Sequence, residues 1–278
     1  MPPFFTIITS TYNAADTLPH LLDSLASQTC RDFNWIVQDG ASSDATMQIV
    51  EQYRDRLPEI LTDSGRDSGI YDAWNKAIDR WQDNMGEWVL FLGADDTLHS
   101  STTLQEVLEH IISIKNDNII FAAGNINLVD TNGTIIRTVI VDKNSAFKNR
   151  YRGTPLPHSG LFTKKTFLVS TKFDTKFKIA GDYDFILKTW KSEHQTIELN
   201  ILVTDMGNDG ISHTLETIYI RRKELFLAIK NTNTLQSFLF AFFMIKHNIR
   251  LSIKQSLLKI KLGQYLYAFY KKYKSSLK

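Results

Sequence analysis

Two adjacent aspartates close an apolar run, Glu87-Trp88-Val89-Leu90-Phe91-Leu92-Gly93-Ala94-Asp95-Asp96. Paired carboxylates in that setting can hold a divalent cation against a substrate's phosphates, although a turn or helix cap also uses aspartate. Asp39 and Asp44 bracket a second loop, Gly40-Ala41-Ser42-Ser43. Such a loop lets backbone approach a nucleotide, and a carboxylate at its mouth can accept hydrogen bonds from a base or ribose. Asp44 equally suits the cap of the next helix. A third group lies in Asp67-Ser68-Gly69-Ile70-Tyr71-Asp72-Ala73-Trp74-Asn75-Lys76-Ala77, where Asp72, Asn75 and Lys76 share one helix face. That face is either a binding surface or simply solvated. His158, after Pro155-Leu156-Pro157, reads as a surface histidine or a ligand-contacting one, and Asp182 stands where a helix should begin.

These residues need elements that deliver them to one place. Trp88 to Leu92 is continuously apolar, as a strand buried on both faces of a parallel sheet requires, and its carboxyl end is where open α/β sheets bind ligands. The first hundred residues alternate strand and helix: strand Phe4 to Thr9, a helix carrying Leu18, Leu21, Leu22 and Leu25, strand Phe33 to Gln38, a helix from Ala45 to Tyr53, a short strand near Ile60, and a helix from Ile70 to Trp81. Ile70, Trp74, Ala77, Ile78 and Trp81 form the expected core face of the last. Beyond it the pattern predicts a helix over 103–113, apolar runs at Ile119–Ala123, Ile126–Val129 and Ile135–Val141, and a hairpin turn at Asp130-Thr131-Asn132-Gly133. A strand over 160–163, a helix over 182–190 and a strand over 196–204 follow.

With 278 residues, 43% hydrophobic and 22% charged, the chain is globular and large enough for one domain with an appendage. Its single cysteine, Cys30, excludes an internal disulfide framework and fits a packing role. The N-terminal residues form no signal sequence, which predicts a cytoplasmic location. All 30 acidic residues lie in 1–224, against 22 basic ones, whereas the last 54 residues carry ten Lys and Arg and no acid. The acidic part is no nucleic-acid binder.

Thr6-Ile7-Ile8-Thr9-Ser10-Thr11-Tyr12-Asn13, Gln38 to Thr46, Asp67 to Ala77, Leu92 to Asp96, His158 to Phe162 and Ala180 to Phe185 occur in an informative order. Together they resemble the family 2 glycosyltransferases of the GT-A fold, of the bacterial surface-polysaccharide type. The resemblance implies a Rossmann-like, mainly parallel α/β sheet with flanking helices and a C-terminal helical extension. It divides the chain into a GT-A domain at 1–215 (a nucleotide-binding half at 1–98, an acceptor-side half at 99–215) and a basic, aromatic-rich extension at 216–278. It implies inverting transfer of a sugar from a UDP-sugar to an acceptor hydroxyl, on a glycan or polyprenyl-diphosphate-linked acceptor, in O-antigen, capsule or exopolysaccharide synthesis.

By the same resemblance, Thr11, Tyr12, Asn13, Asp39, Asp67, Gly69, Asp72, Asn75, Lys76 and Asp95 contact the nucleotide sugar. Asp96 ligates Mn²⁺ or Mg²⁺, His158 lies on the acceptor side, and Asp182 is the catalytic base, with Asp184 competing. The family often writes Glu-Asp where this chain has Gly181-Asp182. The segment 208–213 resembles a loop that closes near the diphosphate. A nucleotidyltransferase is a rival reading, but it would carry a glycine-rich basic N-terminal loop that Ser10-Thr11-Tyr12-Asn13 is not. A non-catalytic nucleotide-sugar-binding scaffold at the membrane is another, and Asp95, Asp96 and Asp182 together speak against it. The tail's apolar run Phe238 to Ile245 is too short for a bilayer span, so its basic and aromatic residues predict an interfacial element on the anionic inner face of the cell membrane.

Overall fold

A computed structural model describes residues 1–114, 116–153, 155–207, 215–245 and 265. Four parallel strands form the first half of a mixed sheet: β1 (Phe5–Thr11), β2 (Phe33–Asp39), β3 (Ile60–Ser64) and β4 (Trp88–Phe91). Helices α1 (Leu18–Ala26), α2 (Thr46–Gln52) and α3 (Ile70–Trp81) connect them. The second half contains β5 (Thr97–Leu98), α4 (Thr103–Ser113), β6 (Phe121–Val129), β7 (Ile135–Val139) and α5 (Lys143–Lys148). It continues through β8 (Leu161–Lys164), α6 (Lys165–Thr171), α7 (Gly181–Thr189), β9 (Thr196–Gly207) and α8 (Leu215–Thr232). A further helix, α9, covers 234–245.

The strand order is β3-β2-β1-β4-β8-β6-β9-β5, with β7 paired to β6. Register aligns Thr11 with Asp39 and Asp39 with Ser64, so three strand ends meet at one level. Antiparallel β8 joins the parallel half to β6, whose first residues pair β8 and whose later residues pair β7. Apolar side chains alternate across the sheet into two cores. Ile7, Trp35 and Leu90 meet the leucines of α1 on one face, while Ile8, Ile36 and Phe91 meet α3, α7 and α8 on the other. Some buried strand polar groups pair across the sheet: Thr6 donates to Asn34 (2.7 Å), and the Trp35 indole N–H donates to Thr9 (3.0 Å).

Several elements differ from those the pattern predicts. β1 runs on to Thr11, which places Ser10 and Thr11 in the strand. The apolar runs at 119–123 and 126–129 belong largely to one strand, β6, with a register irregularity between Ala123 and Ile126. At the start of α3, Tyr71 is buried and Ile70 is 41% exposed, the reverse of the predicted face. β5, α5 and α6 are additional. The hairpin turn forms as expected, with the Gly133 N–H donating to the Asp130 carbonyl (2.9 Å). Cys30 is buried and free. The segment 208–213 and the tail beyond 245, apart from residue 265, lie outside the described residues.

Candidate active site

Asp39 ends β2 with its carboxylate fully buried and surrounded by donors. Thr11 Oγ1 donates at 2.9 Å, Ser64 Oγ at 2.7 Å, and Ser42 through both its N–H (2.9 Å) and its hydroxyl (2.5 Å). Burial raises the carboxyl pKa, but these hydrogen bonds outweigh it and hold the group below its ordinary value. Asp39 therefore ties three strand ends and the Gly40–Ser43 loop into one ionised floor. Asn13 takes a left-handed conformation (φ 49°) and accepts from the Ser43 N–H (2.9 Å), while Tyr12 stands 69% exposed above the loop. Asp44 accepts from Thr46 and from the Ala15 N–H, so it serves the start of α2.

Asp67 lies directly against Gly40, where a Cβ would approach its carboxylate to 2.9 Å. The same carboxylate accepts from the Gly69 N–H (2.9 Å), and Gly69 has φ 132°, a conformation open to glycine. The predicted polar face of α3 divides. Asp72 accepts from the Ser68 N–H (2.9 Å) and from Lys76 Nζ (3.0 Å), and Lys76 also donates to the Arg66 carbonyl. Asn75 commits both ends of its amide to the Phe173 backbone, at 2.8 and 2.9 Å. That side chain clamps the segment after α6 to α3.

After β4 the chain turns so that the Gly93 N–H donates to Asp96 (2.8 Å). Asp96 is 5% exposed, whereas Asp95 is open to solvent. Burial, together with the neighbouring Asp95 charge, pushes Asp96 up to about 7. Two carboxylates crowded in this way fit a hard divalent cation, whose charge would reverse that upward pressure. Among the described residues no third His, Cys, Asp or Glu completes a protein cage. Phosphate oxygens and water would supply the remaining ligands, as Mg²⁺-type sites commonly arrange.

Asp182 sits in the first turn of α7, half-buried. The Tyr71 hydroxyl donates to its carboxylate at 3.2 Å. Burial and the Asp182 charge hold the Tyr71 phenol far above its ordinary range, so it stays a neutral donor. The Tyr71 ring also explains Gly181: a Cβ there would come within 2.7 Å of ring carbons. Asp184, by contrast, is 1% exposed and ion-paired with Lys188. Burial raises its carboxyl pKa despite that partner.

His158 is no surface residue. Its ring packs between Trp74 (4.8 Å) and Phe91 (5.2 Å), and both ring nitrogens are shut off from solvent with no hydrogen-bond partner. Burial pushes the imidazole below its ordinary value against the opposing pull of Asp182, which leaves it neutral at pH 7.

Two residues escape the sequence reading. Tyr71 is one, its only signal being the glycine that makes room for it. Glu224 on α8 is the other: it is 8% exposed, and its carboxylate accepts from the Lys178, Ile179 and Ala180 N–H groups, each at 2.9 Å. This fixes the backbone that leads into Asp182. Glu224 is the last acidic residue of the chain, a weak signal, since every charged residue after it is positive.

A parallel half-sheet ends in carboxylate-bearing loops and is extended by a mixed half with flanking helices, the α/β arrangement expected of the GT-A fold. Residues 6–173 match the family model described as Glycosyl transferase family 2. The PGL/p-HBAD biosynthesis glycosyltransferase of Mycobacterium tuberculosis is 30% identical over 217 residues, covering 77% of this chain and 80% of the relative. The chain belongs to glycosyl transferase family 2. Staphylococcus aureus TarS, a poly(ribitol-phosphate) beta-N-acetylglucosaminyltransferase, is 36% identical over 104 residues, covering 35% of this chain and 17% of TarS. The structure of TarS 1–349 in complex with UDP-GlcNAc superimposes with TM-score 0.62 at 20% identity, covering 89% of this chain and 72% of that one. Against a longer TarS crystal structure, this chain spans 40% of its length. The mannosyltransferase PcManGT from Pyrobaculum calidifontis, in complex with GDP-Man and Mn²⁺, aligns with TM-score 0.59 at 18% identity, covering 83% and 64%.

Proposed function

We propose that this glycosyltransferase is metal-dependent and inverting, and moves a sugar from a UDP-sugar to a hydroxyl of a glycan or polyprenyl-diphosphate-linked acceptor in bacterial surface-polysaccharide synthesis. The observation that carries the reading is the convergence of three carboxylate groups on one end of the sheet. Asp39 with Asp67 form one, Asp95 with Asp96 the second, and Asp182, reached through Tyr71 of α3, the third. TarS in complex with UDP-GlcNAc supports uracil as the base, and PcManGT with Mn²⁺ supports the cation.

Residues 1–98 form the nucleotide-binding half in this reading, 99–215 the acceptor-side half, and 216–278 an extension that associates with the inner face of the membrane. Thr11, Tyr12, Asn13, Asp39, Asp67 and Gly69 surround the nucleoside, with the α3 residues Asp72 and Lys76 at the mouth. Asp95 leans towards the ribose or sugar and Asp96 holds Mn²⁺ or Mg²⁺. When bound, that cation neutralises the charge growing on the departing diphosphate. Asp182 removes the proton from the acceptor hydroxyl as it attacks from the face opposite the diphosphate. Tyr71 orients the carboxylate, and the aromatic wall around His158 lines the acceptor side. The ion pair with Lys188 makes Asp184 the weaker candidate for the base.

Release of UDP from UDP-GlcNAc, UDP-glucose and UDP-galactose, measured with Mn²⁺ and a polyprenyl-diphosphate glycan, tests the reading. The expected result is turnover with one donor, abolished by Asp182→Asn while UDP binding persists. Full transfer by that variant would remove the base assignment.

A further inference from the structure

α9 carries two apolar faces and no charged residue, which is one face more than packing requires. Its inner face, Ser237, Phe240 and Met244, lies at i, i+3 and i+7; Ser237 and Phe240 are 1% and 5% exposed, and Met244 packs against the core. Its outer face, Leu235, Phe238, Leu239 and Phe242, repeats the helical spacing i, i+3, i+4, i+7, with exposures of 70%, 67%, 54% and 68%. A soluble helix normally puts charge on that side.

We propose that this outer stripe seats in the headgroup–acyl boundary of an anionic bilayer, making α9 the element through which the acceptor-side half meets lipid. The proposal rests on the membrane association put forward above and names the face that performs it. Twelve helical residues extend only about 18 Å, short of a hydrocarbon core of about 30 Å, so α9 lies along the interface. No helix among the described residues is long and apolar enough to cross a membrane. Charge complementarity selects lipid over a second copy of the chain. Every charged residue after Glu224 is Lys or Arg, ten in all, from Lys230 just before α9 to Lys246 just after it and beyond, which suits an anionic surface and repels its own duplicate. The apolar stripe supplies insertion and the cations supply attraction. Asn233 fixes the angle between the two helices: its carbonyl accepts from the Ser237 N–H (3.1 Å), and its side chain caps α9 at the Gln236 N–H (3.1 Å). α8 in turn holds the loop before Asp182 through Glu224. Seating α9 on lipid therefore places the base beside acceptors anchored in the same bilayer.

The test is co-sedimentation of the full chain with vesicles of equal parts phosphatidylglycerol and phosphatidylcholine, compared with phosphatidylcholine alone. The wild type should sediment with the anionic vesicles. Leu235→Ser/Phe238→Ser/Phe242→Ser should lose at least about 100-fold in partitioning while still binding UDP. Equal sedimentation of the triple variant would overturn the stripe and leave membrane association to other tail residues. Failure of the wild type to sediment would overturn both. A wild-type dimer that the triple variant converts to monomer would assign the face to a second copy instead. Should the triple variant not fold, Phe242→Cys labelled with a polarity-sensitive fluorophore replaces it, since Cys30 is buried. A blue shift on adding anionic vesicles is expected, and no shift would overturn the proposal.

Discussion

Removing the Glu224 carboxylate should damage the acceptor side of the site from a distance. Three backbone N–H groups, those of Lys178, Ile179 and Ala180, converge on its two oxygens, each at 2.9 Å. The carboxylate lies in a position only 8% exposed. Glu224→Ala strands all three donors; with partial rescue by water, the loss is about 3 kcal/mol rather than the full sum of charged hydrogen bonds. Glu224→Gln keeps one oxygen for the Ile179 and Ala180 donors and turns an amide NH₂ towards the third, a loss of about 1–2 kcal/mol. Because Asp182 follows Ala180 by two residues, a displacement approaching 1 Å would also lower kcat by about 100-fold in the alanine variant. Urea unfolding reads the first effect and steady-state kinetics the second, with donor KM unchanged because the nucleotide loops hang on other strands. An alanine variant within about 0.5 kcal/mol of wild type, or one that raises donor KM at constant kcat, would show that Glu224 does not hold the backbone before Asp182.

Asp182→Asn should lower kcat by roughly 10²–10⁴-fold with UDP affinity intact, measured by UDP release and calorimetry. Gly181→Ala forces a methyl into the Tyr71 ring and should cost about 1–3 kcal/mol in urea unfolding, a penalty eased by Tyr71→Ala in the double variant. Metal binding should weaken with acidity. Asp96 without a cation titrates at about 7, so below that pH a proton competes for the carboxylate and Mn²⁺ affinity should fall up to about tenfold per pH unit. In the metal-free protein the same raised value means that ionising Asp96 disfavours the fold: its contribution to stability is full below the ordinary carboxylate range and is lost as pH rises through about 7. An affinity that does not vary between pH 6 and 8 would contradict the placement of Asp96 at the cation.

The parallel half was legible because each unit has a continuous apolar strand and a helix with clear spacing; Leu18, Leu21, Leu22 and Leu25 all end fully buried. The second half was less so. Gly124 and Asn125 interrupt the apolar pattern of β6 in the middle, where its pairing with β9 shifts register. β5 has two residues, too few for any periodicity. In α6, Thr166 and Val169 are β-branched and mask a helix that tertiary packing of Leu168 enforces. The individual carboxylates could be found from strand ends, yet their partners could not. Ser42 meets Asp39 locally, but Thr11 and Ser64 reach it only through the alignment of three strands, a long-range property. His158 shows the same limit: its walls come from α3 and β4, and from Phe173 beyond α6, so nothing in Pro-Leu-Pro-His-Ser-Gly foretells its burial.

The central claim, a uridine-nucleotide site completed by a cation at Asp96, is met most directly by calorimetric titration with UDP, with and without Mn²⁺, of the wild type and of Asp96→Ala. Saturable UDP binding that strengthens with Mn²⁺ and loses that enhancement in the variant is expected. Binding that ignores Mn²⁺, or a preference for GDP with no response to UDP, would contradict it.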